Sequence, residues 1–159
     1  MKQLHPRAIW LMFIRDTLAW LVTIPFFAFI AFAYLSLRMA FLVIFLAFLF
    51  GVLLSLVVSK LTYHFYKYDL LDHGFYKETG IIFKSYATIP YDRIQNVDIY
   101  RGIFDRMFGL STLRMHTAGI GGIPSAEGSL SGISKEEAVA LRDEVLNRAR
   151  EARSHQGGL

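Results

Sequence analysis

The residues that could do chemistry are a few histidines and a series of aspartates that stand beside arginines. The chain has 5 histidines and no cysteine, which excludes thiolate zinc sites and cysteine nucleophiles. No pair among the histidines has the spacing of metal ligands, and His116 is expected on the surface of a strand. The aspartates, Asp92, Asp98 and Asp105, lie six or seven residues apart. Surface ion pairs with the neighbouring arginines account for them better than a catalytic acid/base pair does.

Two glycine-containing segments resemble active-site motifs only superficially. Gly128–Gly132 reads GSLSG, with leucine at position 130, where a nucleophile elbow needs serine. Gly119–Gly122 lacks the third spaced glycine of a dinucleotide loop and has no Lys-Ser/Thr pair to form a phosphate loop. The sequence therefore predicts a non-enzymatic protein, with no catalytic residue, no cofactor and no metal site.

One polar group stands out, because Gln95 and Asn96 interrupt an apolar strand-like run. Such residues either satisfy backbone groups at a bend or present a recognition surface. The arginines around them raise the same two alternatives. The candidate binding surface consists of Arg93, Gln95, Asn96, Arg101 and Arg106.

The elements that position this group follow from an uneven hydrophobicity. Of 159 residues, 54% are hydrophobic and 19% are charged, which excludes a disordered chain. Thr17–Leu37 and Met39–Ser59 are separated by Arg38 and contain no charge of their own. Each segment is long enough to cross the hydrocarbon core of a bilayer, about 20 residues as a helix, and neither has a polar face. The sequence predicts two transmembrane helices with Arg38 in a tight turn.

The flanking charges predict the orientation of this hairpin. Lys2, Arg7 and Arg15 precede the first span, and Lys60 and Lys67 follow the second. By the positive-inside rule, both termini are expected in the cytoplasm. The expected organisation is an N-terminal cytoplasmic segment (1–16), a transmembrane hairpin (17–59), a cytoplasmic domain (60–153) and a frayed tail (154–159).

The region after the hairpin has an ordinary soluble composition. Residues 60–159 carry 13 Lys/Arg and 12 Asp/Glu, so the net charge of +4 resides mainly in the membrane flanks, and no basic cluster indicates nucleic acid. Turn residues divide it into five to seven short antiparallel strands, with Ile81–Ile89 expected as a long one. Ser134 and Glu137 form a capping box before an amphipathic helix. The expected fold class is a membrane α-helical hairpin plus an α+β or mainly-β domain.

The segment Ile89–Val97 (IPYDRIQNV) resembles the Ile-Pro-x-x-Arg-Ile-Gln-x-Val pattern of the bacterial pleckstrin-homology-like domain family, in its small membrane-anchored form. Arg106, Gly109 and Leu110 match a following Arg-x-x-Gly-Leu, and Leu130–Ser134 matches the segment before the last helix. The resemblance covers residues 10–150. It implies a curled, orthogonally packed antiparallel sheet capped by the C-terminal helix, in a bacterial plasma membrane, and no known catalysis.

Three functions remain open from the sequence. The first is a membrane-anchored interaction module that binds other membrane proteins or a second copy of itself, through a sheet edge. The second is recognition of anionic lipid headgroups by Arg93, Arg101 or Arg106. The third is a small membrane hydrolase that uses His116 and a carboxylate.

Overall fold

The chain folds into a helical hairpin and a separate unit of strands and helices. The structure is a computed structural model, and it describes residues 1–117 and 128–156. Residues 9–61 form one compact unit, the hairpin unit, and residues 1–8 and 62–159 form the other, the sheet unit. The N-terminal eight residues thus group with the C-terminal part of the chain.

Two long apolar helices make up the hairpin, α1 (Ala8–Tyr34) and α2 (Leu37–Phe65). Both are long and apolar enough to cross a membrane. Leu35 and Ser36 connect them, so Arg38, which was expected in the turn, is the second residue of α2. The helices run antiparallel, since Ser59 Oγ donates a hydrogen bond of 3.3 Å to Asp16 Oδ2.

Small residues let the two helices approach closely. Gly51, Ser55 and Ser59 recur every fourth residue of α2, on one face of the helix, and all are buried. A Cβ atom on Gly51 would lie 3.0 Å from the ring of Trp20. Such small residues are typical of helix interfaces in membranes, where close backbone approach replaces the hydrophobic effect as the source of stability.

The described residues of the sheet unit form seven strands in two antiparallel sheets. Sheet A has the order β1-β2-β3-β4 and sheet B the order β5-β6-β7. Their bounds are β1 Lys2–Gln3, β2 Lys67–Leu70, β3 Gly74–Thr79, β4 Ser85–Pro90, β5 Ile94–Tyr100, β6 Leu110–Thr117 and β7 Ser129–Ser134. A 3₁₀ turn, Tyr91–Arg93, follows β4, and the short helix α3 (Ile103–Phe108) joins β5 to β6.

The expected curled sheet is not what the structure contains, because the strands divide into two sheets that are not strongly curled. The break falls after Pro90, which has no N–H to donate to a ladder, and the 3₁₀ turn that follows redirects the chain. The long strand expected over Ile81–Ile89 is also wrong at its start. β4 begins only at Ser85, since residues 80–84 form the turn that joins it to β3.

The C-terminal helix α4 (Lys135–Gln156) packs against sheet B. Glu137 N donates to Ser134 Oγ at 3.1 Å, which confirms the predicted N-cap. The predicted apolar face is buried on the sheet: Ala138, Leu141, Val145 and Ala149. The helix continues to Gln156, into the segment expected to be frayed, while residues 157–159 lie outside the described part.

Candidate interaction surfaces

The five residues of the predicted binding surface lie at the two ends of β5. Arg93, Gln95 and Asn96 are exposed at its beginning, while Arg101 and Arg106 follow its end. A seven-residue strand at about 3.3 Å per residue spans roughly 20 Å. The fold therefore separates these residues into two groups.

A β-bulge explains the polar pair at the beginning of β5. Ile94 pairs with Thr117 and Asn96 pairs with His116, so Gln95 is an extra residue without an opposite partner on β6. The bulge leaves both Gln95 and Asn96 exposed, between the buried side chains of Ile94 and Val97. The interrupted alternation in the sequence records this local geometry.

The two arginines beyond β5 have different surroundings. Arg101 is half-buried, and its Nε donates to the carbonyl oxygen of Leu110 at 3.0 Å, which ties the two ends of the β5–α3–β6 connection together. Arg106 is exposed on α3. Arg101 therefore has a structural contact, whereas Arg106 leaves its guanidinium available to solvent or to a ligand.

The outer face of sheet B carries a polar network. His116 Nε2 lies 3.0 Å from Asp98 Oδ2, and Asn96 Nδ2 donates to Asp98 Oδ1 at 2.9 Å. The side chains of His116 and Asp98 are 42% and 57% exposed. This confirms His116 as a surface strand residue, and water surrounds the pair on an open face. Beside it, the Arg114 guanidinium stacks 4.2 Å from the centre of the Tyr100 ring.

A cleft of about 560 Å³ runs along α4 next to the 3₁₀ turn. Arg148 extends into it, but Glu144 and the carbonyl oxygen of Leu71 accept its hydrogen bonds at 2.7 and 3.2 Å. Burial raises the pKa of Tyr91 above its ordinary value, and the nearby Arg148 charge opposes that shift. The remaining lining includes Asp72 and Glu151. A cleft with this acidic lining and an engaged arginine is a poor site for an anion.

The sequence predicted binding through a sheet edge without indicating the strand, and the structure has an exposed edge in sheet A at β4. All six residues of β4 pair with β3, and in the ranges 1–117 and 128–156 no strand pairs with the other side of β4. Ser85, Tyr86 and Thr88 are exposed, whereas Ile89 is buried. The signal was present in the uncharged sequence SYATI, which has the composition of a strand and no charge to protect it.

The other edges formed by described residues are protected. β1 has only two residues and begins with Lys2, and β5 contains the bulge and Asp98. On β7, the carbonyl oxygen of Gly132 accepts a hydrogen bond of 3.0 Å from His5 N, and the ladder to β6 is irregular there. Short length, charge and bulges all discourage strand addition, and β4 has none of these along Ser85–Ile89.

The family model described as "Bacterial PH domain" matches residues 11–149, which is most of the chain. The chain belongs to this family. The match extends over most of both long helices, strands β2–β7 and most of α4, whereas β1 lies outside it, so the hairpin and most of the sheet unit of this bacterial PH domain are covered together. The resemblance inferred from Ile89–Val97 is confirmed.

Two curated relatives from Bacillus subtilis (strain 168) are transmembrane proteins. The chain is 32% identical over 91 residues to "UPF0699 transmembrane protein YdbT" and 26% identical over 94 residues to "UPF0699 transmembrane protein YdbS". These alignments cover 57% and 59% of this chain, but only 18% and 55% of the relatives, so the chain matches a part of each. No solved structure matches. The bacterial PH domain is accordingly a membrane protein with two candidate spans.

Proposed function

We propose that this bacterial PH domain is a non-enzymatic interaction module, held at the membrane by its two helices, which binds another membrane protein by strand addition to β4. The observation that carries the proposal is the uncharged, exposed edge of β4 beside edges that are protected. Strand addition derives its affinity from main-chain hydrogen bonds, and its specificity from the side chains that alternate along the edge.

The outward side chains of β4 can supply that specificity. Tyr86 and Thr88 project from one face, since the intervening Ala87 is half-buried and Ile89 is buried. Opposite them on β3 stand Glu78 and Tyr76, respectively. A partner strand would meet a narrow aromatic and hydroxyl surface. Anchoring in the bilayer supports such an interaction, because confinement raises the effective concentration of two membrane-bound partners.

Flanking charge supports a cytoplasmic location for both termini. Five Lys/Arg residues lie before the first span or after the second, whereas Arg38 alone lies near the connection between the spans. The sheet unit would then face the cytoplasm of a bacterial cell, where its partners would be other membrane proteins or a second copy of the chain.

The arrangement of the arginines favours this function over headgroup recognition in a dedicated pocket. Arg93 lies at the far end of β5 from Arg101, and Arg101 is occupied by the Leu110 carbonyl. A hydrolase that uses His116 and Asp98 is also disfavoured, because the pair is exposed to water and bound to Asn96 on an open sheet face.

The experiment isolates the full-length, tagged chain from native membranes together with its partner. In the variants Ser85→Lys and Thr88→Lys, a charge on the edge must be buried when a partner strand docks, and the residues opposite on β3, Thr79 and Tyr76, are uncharged. An unpaired charge at an interface costs about 2–5 kcal/mol, so partner recovery should fall by about tenfold or more. Asn147→Lys is the matched control, since Asn147 is exposed on α4 and remote in sequence from β4. Equal recovery in all variants, or a strictly monomeric protein that co-purifies with nothing, would refute the proposal.

A further inference from the structure

Among the described residues, the sheet unit exposes two apolar protrusions. The first is the turn between β3 and β4, where the side chains of Ile82 and Phe83 are 85% and 90% exposed. The second is the outer face of α3, where Ile103 and Met107 are 68% and 70% exposed and Phe104 is 41% exposed. Single exposed apolar residues are ordinary, but paired clusters of large ones indicate a surface that contacts another apolar phase.

The β3–β4 turn lies beside the end of α2. Lys67, two residues after α2, pairs with Glu78, one residue before the end of β3, so the turn emerges at the end of sheet A where the chain leaves the helix. Lys84 Nζ, at the other side of the turn, lies 5.5 Å from the centre of the Phe65 ring, and Phe65 is the last residue of α2.

The end of α3 lies beside Arg7, the residue that precedes α1. Gly109 ends α3, and a Cβ atom on it would stand 3.5 Å from Arg7 Nη1, one residue before α1 begins at Ala8. The segment that precedes α1 contacts the last turns of α2 within the sheet unit, since Tyr63 Oη donates to the carbonyl oxygen of Leu4 at 3.1 Å. Both protrusions therefore flank the place where the chain enters and leaves the two long helices.

Basic residues surround the apolar ones. Lys84, whose Nζ is paired with Glu78 Oε1 at 2.9 Å and whose side chain is 42% exposed, borders the β3–β4 turn. Arg106 on α3 and Arg7 beside it border the second protrusion. Large apolar side chains next to Lys and Arg are the composition of segments that lie in the headgroup region, where the side chains reach the acyl boundary and the charges meet anionic phosphates.

We propose that the β3–β4 turn and the outer face of α3 together rest in the headgroup–acyl boundary of the bilayer that α1 and α2 cross. The occupant of this apolar surface is lipid, because its two parts lie beside the residues at which the chain enters α1 and leaves α2, the two candidate membrane spans. Two insertion points, one beside each helix end, would fix the orientation of the sheet unit on the membrane. The β4 edge would then be presented to partners at a constant angle.

The absence of cysteine in the chain makes a direct test possible. Single cysteines are introduced as Phe83→Cys and Met107→Cys, with Asn147→Cys on α4 as the matched control. Each full-length variant is spin-labelled and reconstituted at low protein-to-lipid ratio into vesicles of phosphatidylcholine and phosphatidylglycerol. Collision with oxygen, which concentrates in lipid, is compared with collision with a water-soluble nickel chelate.

The proposal predicts that oxygen collisions exceed nickel collisions at both Phe83→Cys and Met107→Cys, and that the order is reversed at Asn147→Cys. Because the three positions are exposed, the substitutions leave the packed core intact. Nickel accessibility at either test position equal to that at the control would overturn the proposal. Shielding of a test position from both reagents would also overturn it, since that result indicates a protein contact, such as a second copy of the chain.

Discussion

The N-terminal segment docks on β7 at Gly132, and replacing this glycine with alanine tests how the sheet unit holds residues 1–8. Gly132 has φ = 85°, and a Cβ atom there would lie 2.7 Å from the Ala8 Cβ. His5 N donates to its carbonyl oxygen at 3.0 Å. The substitution thus has two separate effects, one on the backbone and one on the docked segment.

The matched control is Gly109→Ala. Gly109 also has positive φ, at 69°, but among the described residues its Cβ would meet only Arg7 Nη1, at 3.5 Å. Left-handed backbone costs a residue with a Cβ about 1–2 kcal/mol, and both variants carry this cost. Only Gly132→Ala forces packed backbone elements apart, which adds about 1–3 kcal/mol, as overpacking does in cores. Gly109→Ala should therefore lower the free energy of unfolding by about 1–2 kcal/mol. Gly132→Ala should lower it by about 2–5 kcal/mol.

Hydrogen exchange separates the two effects. Undocking of residues 1–8 relieves the clash at Ala8 but leaves the backbone strain unchanged. The amide of His5 should therefore exchange about five- to a hundredfold faster in Gly132→Ala than in Gly109→Ala, when measured by mass spectrometry in detergent micelles. Equal exchange of the N-terminal peptide in the two variants would show that the reasoning about this contact is wrong.

Three further predictions concern the sheet unit. Burial raises the pKa of Tyr66 to about 12 from its ordinary value of 10.0. The unfolded chain therefore loses this proton at a lower pH than the folded protein does, so the contribution of neutral Tyr66 to stability is complete below pH 10 and is lost as the pH rises towards 12. Tyr66→Phe should flatten the decline of the thermal midpoint over this range, and an unchanged decline would contradict this role of Tyr66. Arg101→Ala should lower the free energy of unfolding by about 1–3 kcal/mol, because the Leu110 carbonyl loses its charged donor, while Arg93→Ala should change it by less than about 0.5 kcal/mol in chemical unfolding. Leu113→Ala should cost about 2–5 kcal/mol in the same assay, since Leu113 is fully buried between β5 and β7; a loss below 1 kcal/mol would contradict the assigned core.

Much of the fold could be predicted from local patterns. Continuous hydrophobicity identified the two long helices, and alternation identified β5 and β6 with both ends where the structure has them. Leu113 and Met115 face inward and Arg114 outward, as expected. These elements are long or strongly patterned, so their local preference and their tertiary environment agree.

The elements that were missed depend on contacts that are distant in sequence. β1 has two residues, and only pairing with Tyr68 and Lys67 makes it a strand. Helix α3 is too short to show helical periodicity, although the Asp105 carboxylate, which accepts from Gly102 N at 2.9 Å, was a readable signal of its beginning. Ile82 and Phe83 have strong strand preferences, yet they lie in a turn.

The positions of the candidate surface residues in the fold could be predicted only in part, for a related reason. Single residue types indicated which side chains are polar and exposed, and Gln95, Asn96, Arg93 and Arg106 are exposed. Sequence spacing could not show that β5 separates the five candidate residues into two groups, or that the Arg101 guanidinium donates a hydrogen bond to the carbonyl oxygen of Leu110. The open edge of β4 is a property of sheet order, which requires the complete topology.

Photo-crosslinking along β4 in native bacterial membranes tests whether a partner strand binds to this edge. A photoreactive phenylalanine analogue is placed at Tyr86 or Thr88 of the full-length chain, and at Asn147 as the control. Strand addition at the β4 edge predicts a discrete adduct with one membrane protein, or with a second copy of the chain, from both β4 positions and not from Asn147. Adducts from Asn147 with no protein adduct from either β4 position would contradict the claim that β4 is the binding edge.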